Sequence, residues 1–172
     1  MKSFENLNGK ELIWLQKKAS ENSYELQSGG EPVASLSWEK SLSSPATCAI
    51  EGKSWSLVRE GFFRPHISIR AKGSDEVLGV MEFGWTGAGM LKLTGGATYK
   101  WEQRSFWSGM WAFCSDKGKE IVSFKLDRGL LKTASVLQLA SEQDENVELG
   151  LLCSLGWYVL VLYSEDSVPA GF

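Results

Sequence analysis

The sequence predicts an all-β fold, a closed and mostly antiparallel barrel of about twelve strands around one buried hydrophobic C-terminal helix. Three features favour this fold. Short segments between about residues 11 and 140 alternate apolar and polar side chains. Turns rich in Gly, Ser, Asn and Asp separate them at a spacing of roughly eight to twelve residues, which is typical of all-β folds. An almost wholly apolar stretch then runs from Leu149 to Tyr163.

The alternation predicts strands with one apolar and one polar face. A polar residue separates Ile67 from Ile69, and the same pattern relates Val122, Phe124 and Leu126. Successive side chains of a strand point to opposite faces, so each segment directs its apolar residues towards one core. The candidate strands are centred near Trp14, Glu25, Leu36, Ala49, Leu57, Ser68, Val80, Lys92, Lys100, Ala112, Phe124 and Val136.

The composition agrees with one β-rich domain over residues 1–172. Eight Trp and eight Phe are many for 172 residues, and large aromatic side chains favour half-buried pleated surfaces. Eighteen Gly against four Pro suit many tight turns, for example at 28–30 and 94–96. A chain of this length can bury a sizeable core but is short for two domains.

The apolar C-terminal stretch is expected to form a central helix over about residues 147–163, with a short tail at 164–172. It is apolar on every side, so as a helix it must be surrounded. Fifteen helical residues span only about 22 Å, a bilayer needs about 20 apolar residues, and the flanks are acidic. We therefore expect no transmembrane span. The alternative is two buried strands hinged at Gly156, because Tyr158, Val159 and Val161 are good strand formers.

The strand series from Leu12 to Ala140 and the closing stretch from Glu148 to Tyr163 resemble the tubby C-terminal-like superfamily, which includes tubby domains, phospholipid scramblases and LURP-one-related proteins. The resemblance is one of architecture and hydrophobic layout over almost the whole chain. It implies a twelve-stranded barrel threaded by a hydrophobic helix. It also implies a non-enzymatic binding or adaptor domain associated with lipid or membrane. The proline-rich head of scramblases and the basic cluster with which tubby domains hold phosphoinositides have no counterpart in this sequence.

The net charge and the cysteines limit the classes of partner and the cellular compartments that are expected for this protein. The net charge of −3 leaves no surplus of Lys and Arg, so nucleic acid is not expected as a partner. Cys48, Cys114 and Cys153 are odd in number, far apart and in apolar stretches, as expected of reduced core thiols in a cytoplasmic protein. Residues 1–9 are polar, and the apolar run at 12–15 is too short for a signal peptide.

No residue pattern indicates catalysis, a metal or a cofactor. His66 is the single histidine, lies on the polar face of a candidate strand, and no Gly-x-Ser-x-Gly elbow accompanies it. The cysteines lack Cys-x-x-Cys or His neighbours at ligand spacing. The glycine-rich turn at 84–89 continues as a candidate strand, so no helix N-terminus would face an anion there. We therefore expect no cofactor and rank an unrecognised enzyme last among the possible functions.

Residues 59–72 combine four cations with an apolar pair and form the candidate ligand or membrane surface. Its members are Arg59, Phe62, Phe63, Arg64, Arg70 and Lys72. A loop that exposes phenylalanine beside arginine can enter a lipid interface while it pairs with headgroup phosphates. The alternative is that a phenylalanine closes the barrel end and the cations form an ordinary solvated face.

Three further aromatic residues are candidates for the rim of a binding site. Trp85 lies beside glycines in a turn, and Phe106 and Trp107 lie between two candidate strands. By contrast, Trp101 and Trp111 occupy inward strand positions, and core packing explains them.

Two functions remain open at this point. The first is a non-enzymatic, lipid- or membrane-associated binding domain, which predicts vesicle binding that weakens with salt. The second is a cytosolic protein-interaction or regulatory module, which predicts an exposed apolar patch and no lipid affinity. The expected partner is therefore either a phospholipid or another protein.

Overall fold

The structure, a computed structural model, describes residues 7, 10–18, 21–61, 63–105, 109–128, 133–140 and 147–170, of which 127, 128, 133, 134 and 165–170 are described by their backbone alone. In this part of the chain twelve strands precede one helix. The strands are β1 (Glu11–Gln16), β2 (Ser23–Ser28), β3 (Glu31–Trp38), β4 (Ala46–Ile50), β5 (Lys53–Glu60), β6 (His66–Ala71), β7 (Val77–Phe83), β8 (Gly89–Leu93), β9 (Thr98–Ser105), β10 (Met110–Ser115), β11 (Glu120–Arg128) and β12 (Thr133–Leu139), and the helix is α1 (Leu149–Ala170).

The strands form one closed antiparallel barrel in which each strand pairs with its neighbours in sequence. β1 and β12 close the barrel, paired from Glu11 opposite Gln138 to Leu15 opposite Ala134. Closure leaves no free strand edge, and antiparallel neighbours need only short turns. The predicted all-β barrel is confirmed, and each expected strand centre falls within one of the twelve strands.

Because neighbouring strands run in opposite directions, successive connections lie at alternate ends of the barrel. The connections β5–β6, β7–β8 and β9–β10 leave from the same end, which we call the mouth, and the β6–β7 turn lies at the opposite end. The helix α1 begins at that opposite end, where Lys53 pairs with Glu148 at 3.9 Å. It reaches the mouth near Tyr163, whose ring centroid lies 6.2 Å from that of Trp111.

The helix α1 fills the barrel, and the predicted buried helix is confirmed. Every residue from Leu151 to Leu162 is buried. Trp14 of β1 donates a hydrogen bond from Nε1 to the carbonyl oxygen of Cys153 at 3.2 Å, and its ring stacks on Trp157 at a centroid distance of 6.4 Å. The alternative of two strands hinged at Gly156 is wrong, because one continuous helix passes through that residue. Within the described ranges, no helix is both long enough and apolar enough to cross a bilayer.

The C-terminal end of α1 differs from the prediction. Burial of side chains ends near Leu162, as the composition indicates, but the helix continues to Ala170 instead of giving way to a tail at residue 164. The intervening Ser, Glu and Asp residues are polar without breaking a helix. After Tyr163 the first strong helix breaker in the sequence is Pro169, one residue before the last residue of α1, so the apolar stretch and the helix end at different places.

Candidate functional site

A cavity of about 210 Å³ lies at the mouth, between the end of α1 and the surrounding strands. We call it the mouth cavity. Its apolar wall includes Phe83, Trp101, Trp111, Val159, Leu160 and Leu162. A concave apolar site with a few polar groups at its edge is the usual form of a small-ligand site.

The wall is made of rings from the strands and aliphatic side chains from the helix. Trp101 and Trp111 face each other from β9 and β10, with ring centroids 5.5 Å apart and planes inclined by 16°. Phe113, fully buried, packs against Trp101, with the two ring centroids 4.8 Å apart. These residues hold the inward strand positions expected from the alternation, so the rings are fixed by core packing. The cavity therefore has a rigid wall.

Arg59 brings a cation to the edge of this apolar site. It follows Trp55 and Leu57 in the alternation of β5, and both of those side chains are buried inside the barrel. Arg59 therefore lies on the same face of β5 as these two residues, the face that is turned towards the barrel interior. It lies one residue before the end of the strand, and its side chain is exposed. Burial raises the pKa of Tyr158 on α1 to about 12, and the nearby Arg59 charge opposes part of that rise.

His66 lies at the cavity edge and belongs to a network on the outer face of β5 and β6. The Glu60 carboxylate accepts hydrogen bonds from Arg70 Nη2 at 3.0 Å and from Ser68 Oγ at 3.2 Å, and it lies 3.4 Å from His66 Nε2. The Arg70 charge is therefore matched by a carboxylate. The described residues contain no group of three or more His, Cys, Asp and Glu side chains suited to a metal ion.

Two large aromatic side chains project from the mouth into solvent. Phe63, in the β5–β6 loop, is 91% exposed, and Trp85, in the β7–β8 loop, is fully exposed. Arg64, next to Phe63, is exposed as well. Large apolar side chains are rarely left so open, and clusters of them mark interaction surfaces.

The Trp85 loop is held in place by its own backbone. The Gly84 N–H donates to the Ala88 carbonyl at 2.8 Å, and the Gly87 N–H donates to the Gly84 carbonyl at 3.3 Å. Gly87 has a φ of 85°, and a β-carbon added there would lie 3.4 Å from the Trp111 ring. The loop therefore rests on the cavity wall and holds Trp85 at its outer tip.

The structure brings together part of the surface predicted from the sequence. Arg59, Phe63, Arg64 and Trp85 lie at the mouth, whereas Arg70 points along β6 to Glu60 and Lys72 lies at the opposite end of the barrel. Phe62, Phe106 and Trp107 lie outside the described residues, so their predicted roles stay predictions.

Sequence reasoning missed the contribution of α1 to the site. Val159 and Leu162 line the cavity, and Tyr163, at its outer edge, is 54% exposed. Tyr163 is the last residue of the apolar stretch. Because its ring is apolar and its hydroxyl is polar, it could have been predicted to mark the point where the helix leaves the core. The inward phase of Arg59 was a second signal, since it follows two apolar residues at a spacing of two.

Comparison of the chain with models of known protein families, with curated proteins and with solved structures found no match. The geometry of the mouth is therefore the basis on which a function is proposed.

Proposed function

We propose that this protein is a non-enzymatic binding domain that docks its mouth on the surface of an anionic lipid bilayer. The observation that carries the proposal is the pair of exposed aromatic side chains, Phe63 and Trp85, on two loops of the same barrel end. Aromatic side chains that project from a rigid scaffold can enter the boundary between headgroups and acyl chains.

The charges near the loops support an anionic surface. Arg64 adjoins Phe63 in sequence and is exposed, so it can pair with a lipid phosphate when the phenylalanine inserts. Glu60, the acidic residue at the end of β5, already accepts hydrogen bonds from Arg70 and Ser68. Its charge therefore opposes lipid phosphate less than a free carboxylate would. Because the net charge of the chain is −3, attraction to the bilayer must come from this local patch.

The resemblance to the tubby C-terminal-like superfamily supports the same proposal. A barrel threaded by a hydrophobic helix is the architecture that the resemblance implies, and we propose membership on that ground. A cytoplasmic location is part of the proposal. The free and buried thiols Cys48, Cys114 and Cys153 suit a reducing compartment.

Vesicle co-sedimentation tests the proposal. We expect binding to vesicles of phosphatidylcholine mixed with phosphatidylserine, weaker binding to phosphatidylcholine alone, and loss of the difference in high salt. Trp85→Ser should weaken binding about tenfold or more, because transferring a large apolar side chain out of water is worth about 1.5–3 kcal/mol. Phe63→Ser should act in the same direction.

Two cations provide a matched comparison of charge. Arg64→Ser and Lys72→Ser remove a positive charge from opposite ends of the barrel, so only Arg64→Ser should weaken vesicle binding. Equal effects of the two variants would mean that binding follows net charge and not the mouth. A chain that binds no vesicle of either composition would overturn the proposal and favour the second function.

That second function is a protein-interaction module, and the exposed Trp85 favours it too. Tryptophan and arginine dominate the binding energy of protein interfaces. In this case Trp85 and Arg64 would contact a partner chain, and neither lipid composition would retain the protein.

A further inference from the structure

We propose that the mouth cavity binds a small neutral aromatic molecule, held between the rings of the barrel wall and the aliphatic side chains of α1. The inference goes beyond docking on a membrane, because such a ligand, dissolved in water, would bind without a bilayer. It stands on the volume, the wall and the charge balance of the cavity, whereas the docking proposal stands on Phe63 and Trp85. Either proposal can fail without the other.

The volume of the cavity sets the size of the ligand. A dry apolar cavity of about 150 Å³ in another protein binds benzene. The mouth cavity, at about 210 Å³, is larger by less than half, so it has room for a substituted ring or for two fused rings. Trp101 and Trp111 of its wall are buried and stacked on each other, so this space is built into the folded barrel.

The wall favours an aromatic ligand over a saturated one. Four aromatic rings line the cavity, those of Phe83, Trp101, Trp111 and Tyr163. The Tyr163 ring of α1 is inclined by 53° to that of Trp111, so the rings present both faces and edges. Aromatic rings that meet edge to face or offset bind each other more tightly than the buried area alone implies, by about two- to tenfold. An aromatic ligand therefore gains more from this wall than a saturated ring of the same size.

The charges at the cavity edge favour a neutral ligand. Arg59 already interacts with another group of the protein, and His66 lies 3.4 Å from the Glu60 carboxylate. The helix α1 continues past the cavity edge with two acidic residues, Glu165 and Asp166. Both signs of charge are therefore present near the edge. A charged ligand of either sign would meet repulsion together with attraction while it loses hydration, and that loss is costly.

Calorimetric titration with matched small molecules tests the proposal. Tryptophol, indoleacetate and tryptamine share an indole ring and a short side chain but carry no charge, a negative charge and a positive charge. Tryptophol should bind, and both charged compounds should bind severalfold more weakly, because part of their hydration is lost. Phenethyl alcohol should bind about four- to fifteenfold more weakly than tryptophol, since it lacks apolar area equal to one or two methylene groups.

A saturated analogue tests the aromatic class. Cyclohexylethanol has the side chain of phenethyl alcohol on a ring without π electrons. After correction for the partition of each compound between water and octanol, it should bind about two- to tenfold more weakly than phenethyl alcohol.

Variants locate the site. Val159→Phe and, nearer the solvent, Leu162→Phe fill the cavity from α1 and should abolish tryptophol binding, with circular dichroism and the melting temperature used to establish that each is folded. Phe83→Leu removes one ring from the wall and should narrow the difference between phenethyl alcohol and cyclohexylethanol. The double variant Phe63→Ser, Trp85→Ser should bind tryptophol as the original chain does, even where it has lost vesicle binding.

Each part of the proposal has its own contrary result. Absence of tryptophol binding by the original chain, or binding that both folded filling variants retain, would overturn the cavity as the site. A charged compound that binds as tightly as tryptophol would overturn the neutral class. Cyclohexylethanol that equals phenethyl alcohol after the correction would overturn the aromatic class. Tryptophol binding by a chain that binds no vesicle would support the cavity site and overturn only the docking proposal.

Discussion

The ring of Phe124 in β11 occupies the space beside Gly156 in which a side chain on α1 would begin. A β-carbon added at Gly156 would lie 2.6 Å from Cε2 and 3.0 Å from Cε1 of that ring. Phe124 is fully buried and meets the Trp101 ring edge-on at 5.5 Å, so it has little room to move aside. The barrel wall and the helix approach each other closely here because the helix has a glycine, without a side chain, at position 156.

We expect Gly156→Ala to destabilise the protein although alanine is the better helix former. The helix gains about 1 kcal/mol from the substitution, but overpacking a rigid core costs about 1–3 kcal/mol. The net loss should be as much as about 2 kcal/mol in the free energy of unfolding, measured by urea denaturation. Phe124→Leu shortens the opposing side chain, so the double variant should lose less than the sum of the two single losses.

Gly95→Ala is the matched control for this prediction. Gly95 has no neighbouring atom within 4 Å of an added β-carbon and no left-handed backbone. Its substitution should leave the stability within about 0.5 kcal/mol of the original. Strict additivity of Gly156→Ala and Phe124→Leu would show that the ring does not press on the helix as described.

The position of Gly156 also shows what the sequence can and cannot predict. The alternation of the strands and the apolar run each report on their own local surroundings, so the barrel and the buried helix were both predictable. The role of Gly156 depends on Phe124, which is far away in sequence, and the sequence allowed a strand hinge there instead. Only the packed structure distinguishes a close approach from a hinge.

The mouth shows the same division between local and long-range information. The inward phase of Arg59 can be inferred from Trp55 and Leu57, whereas the pairing of Arg70 with Glu60 depends on the register between β5 and β6. The length of the loop after β5 sets that register, and composition does not report it. The six-residue surface predicted from the segment 59–72 therefore could not be divided between the barrel ends without the strand boundaries.

Trp14 should contribute more to the free energy of unfolding than its burial alone indicates, because it also bonds to α1. Trp14→Phe removes the hydrogen bond to the Cys153 carbonyl and reduces the stack on Trp157. We expect a loss of about 2 kcal/mol, from one buried hydrogen bond together with the space left by the smaller ring. Urea unfolding followed by circular dichroism measures it. Trp85→Phe makes the same chemical change at an exposed site and should have almost no effect, and equal losses would contradict the assignment.

Cys114 should be protected by the ion pairs of Arg104, one of which crosses the strand that carries this thiol. Arg104 of β9 lies 3.4 Å from Glu102 and 3.4 Å from Glu120 of β11, and β10 with the buried Cys114 lies between those two strands. Arg104→Ala should raise the rate at which Cys114 reacts with a disulfide reagent by about two- to tenfold, because each exposed ion pair contributes about 0.2–1 kcal/mol against local opening.

The control for this reaction is a cation at another place. Arg64→Ala, at the mouth, should leave the rate unchanged, and mass spectrometry of the labelled peptides should show Cys48 and Cys153 unlabelled in both variants. Labelling of all three thiols together would mean that the reagent detects global unfolding and not opening over β10.

The core thiols should make the fold sensitive to alkali. Burial raises the pKa of Cys48 to about 12 and also raises the pKa of Cys153. In the unfolded chain both thiols lose their protons above about pH 8.5–9, whereas in the folded barrel they keep them. The unfolded state then binds fewer protons, so stability is fully present below about pH 8.5 and falls as the pH rises towards the folded pKa. Each such thiol contributes a slope of about 1.4 kcal/mol per pH unit in that window.

Cys48→Ala tests this contribution when urea unfolding is measured with reductant at several values between about pH 8 and 11. The variant should be somewhat less stable at neutral pH because of the missing sulfur, but its loss of stability with pH should be shallower by about 1.4 kcal/mol per unit. Val33→Ala also removes buried volume, but Val33 has no titratable group, so it should lower the curve without changing its slope. If Cys48→Ala keeps the original slope, the folded barrel does not hold that thiol in its neutral form. An added β-carbon at Gly150 of α1 would lie 2.6 Å from Cδ1 of Ile50 in β4, so the strand and the helix are closely packed. An unchanged slope would therefore mean that β4 packs against the helix more loosely than this distance indicates.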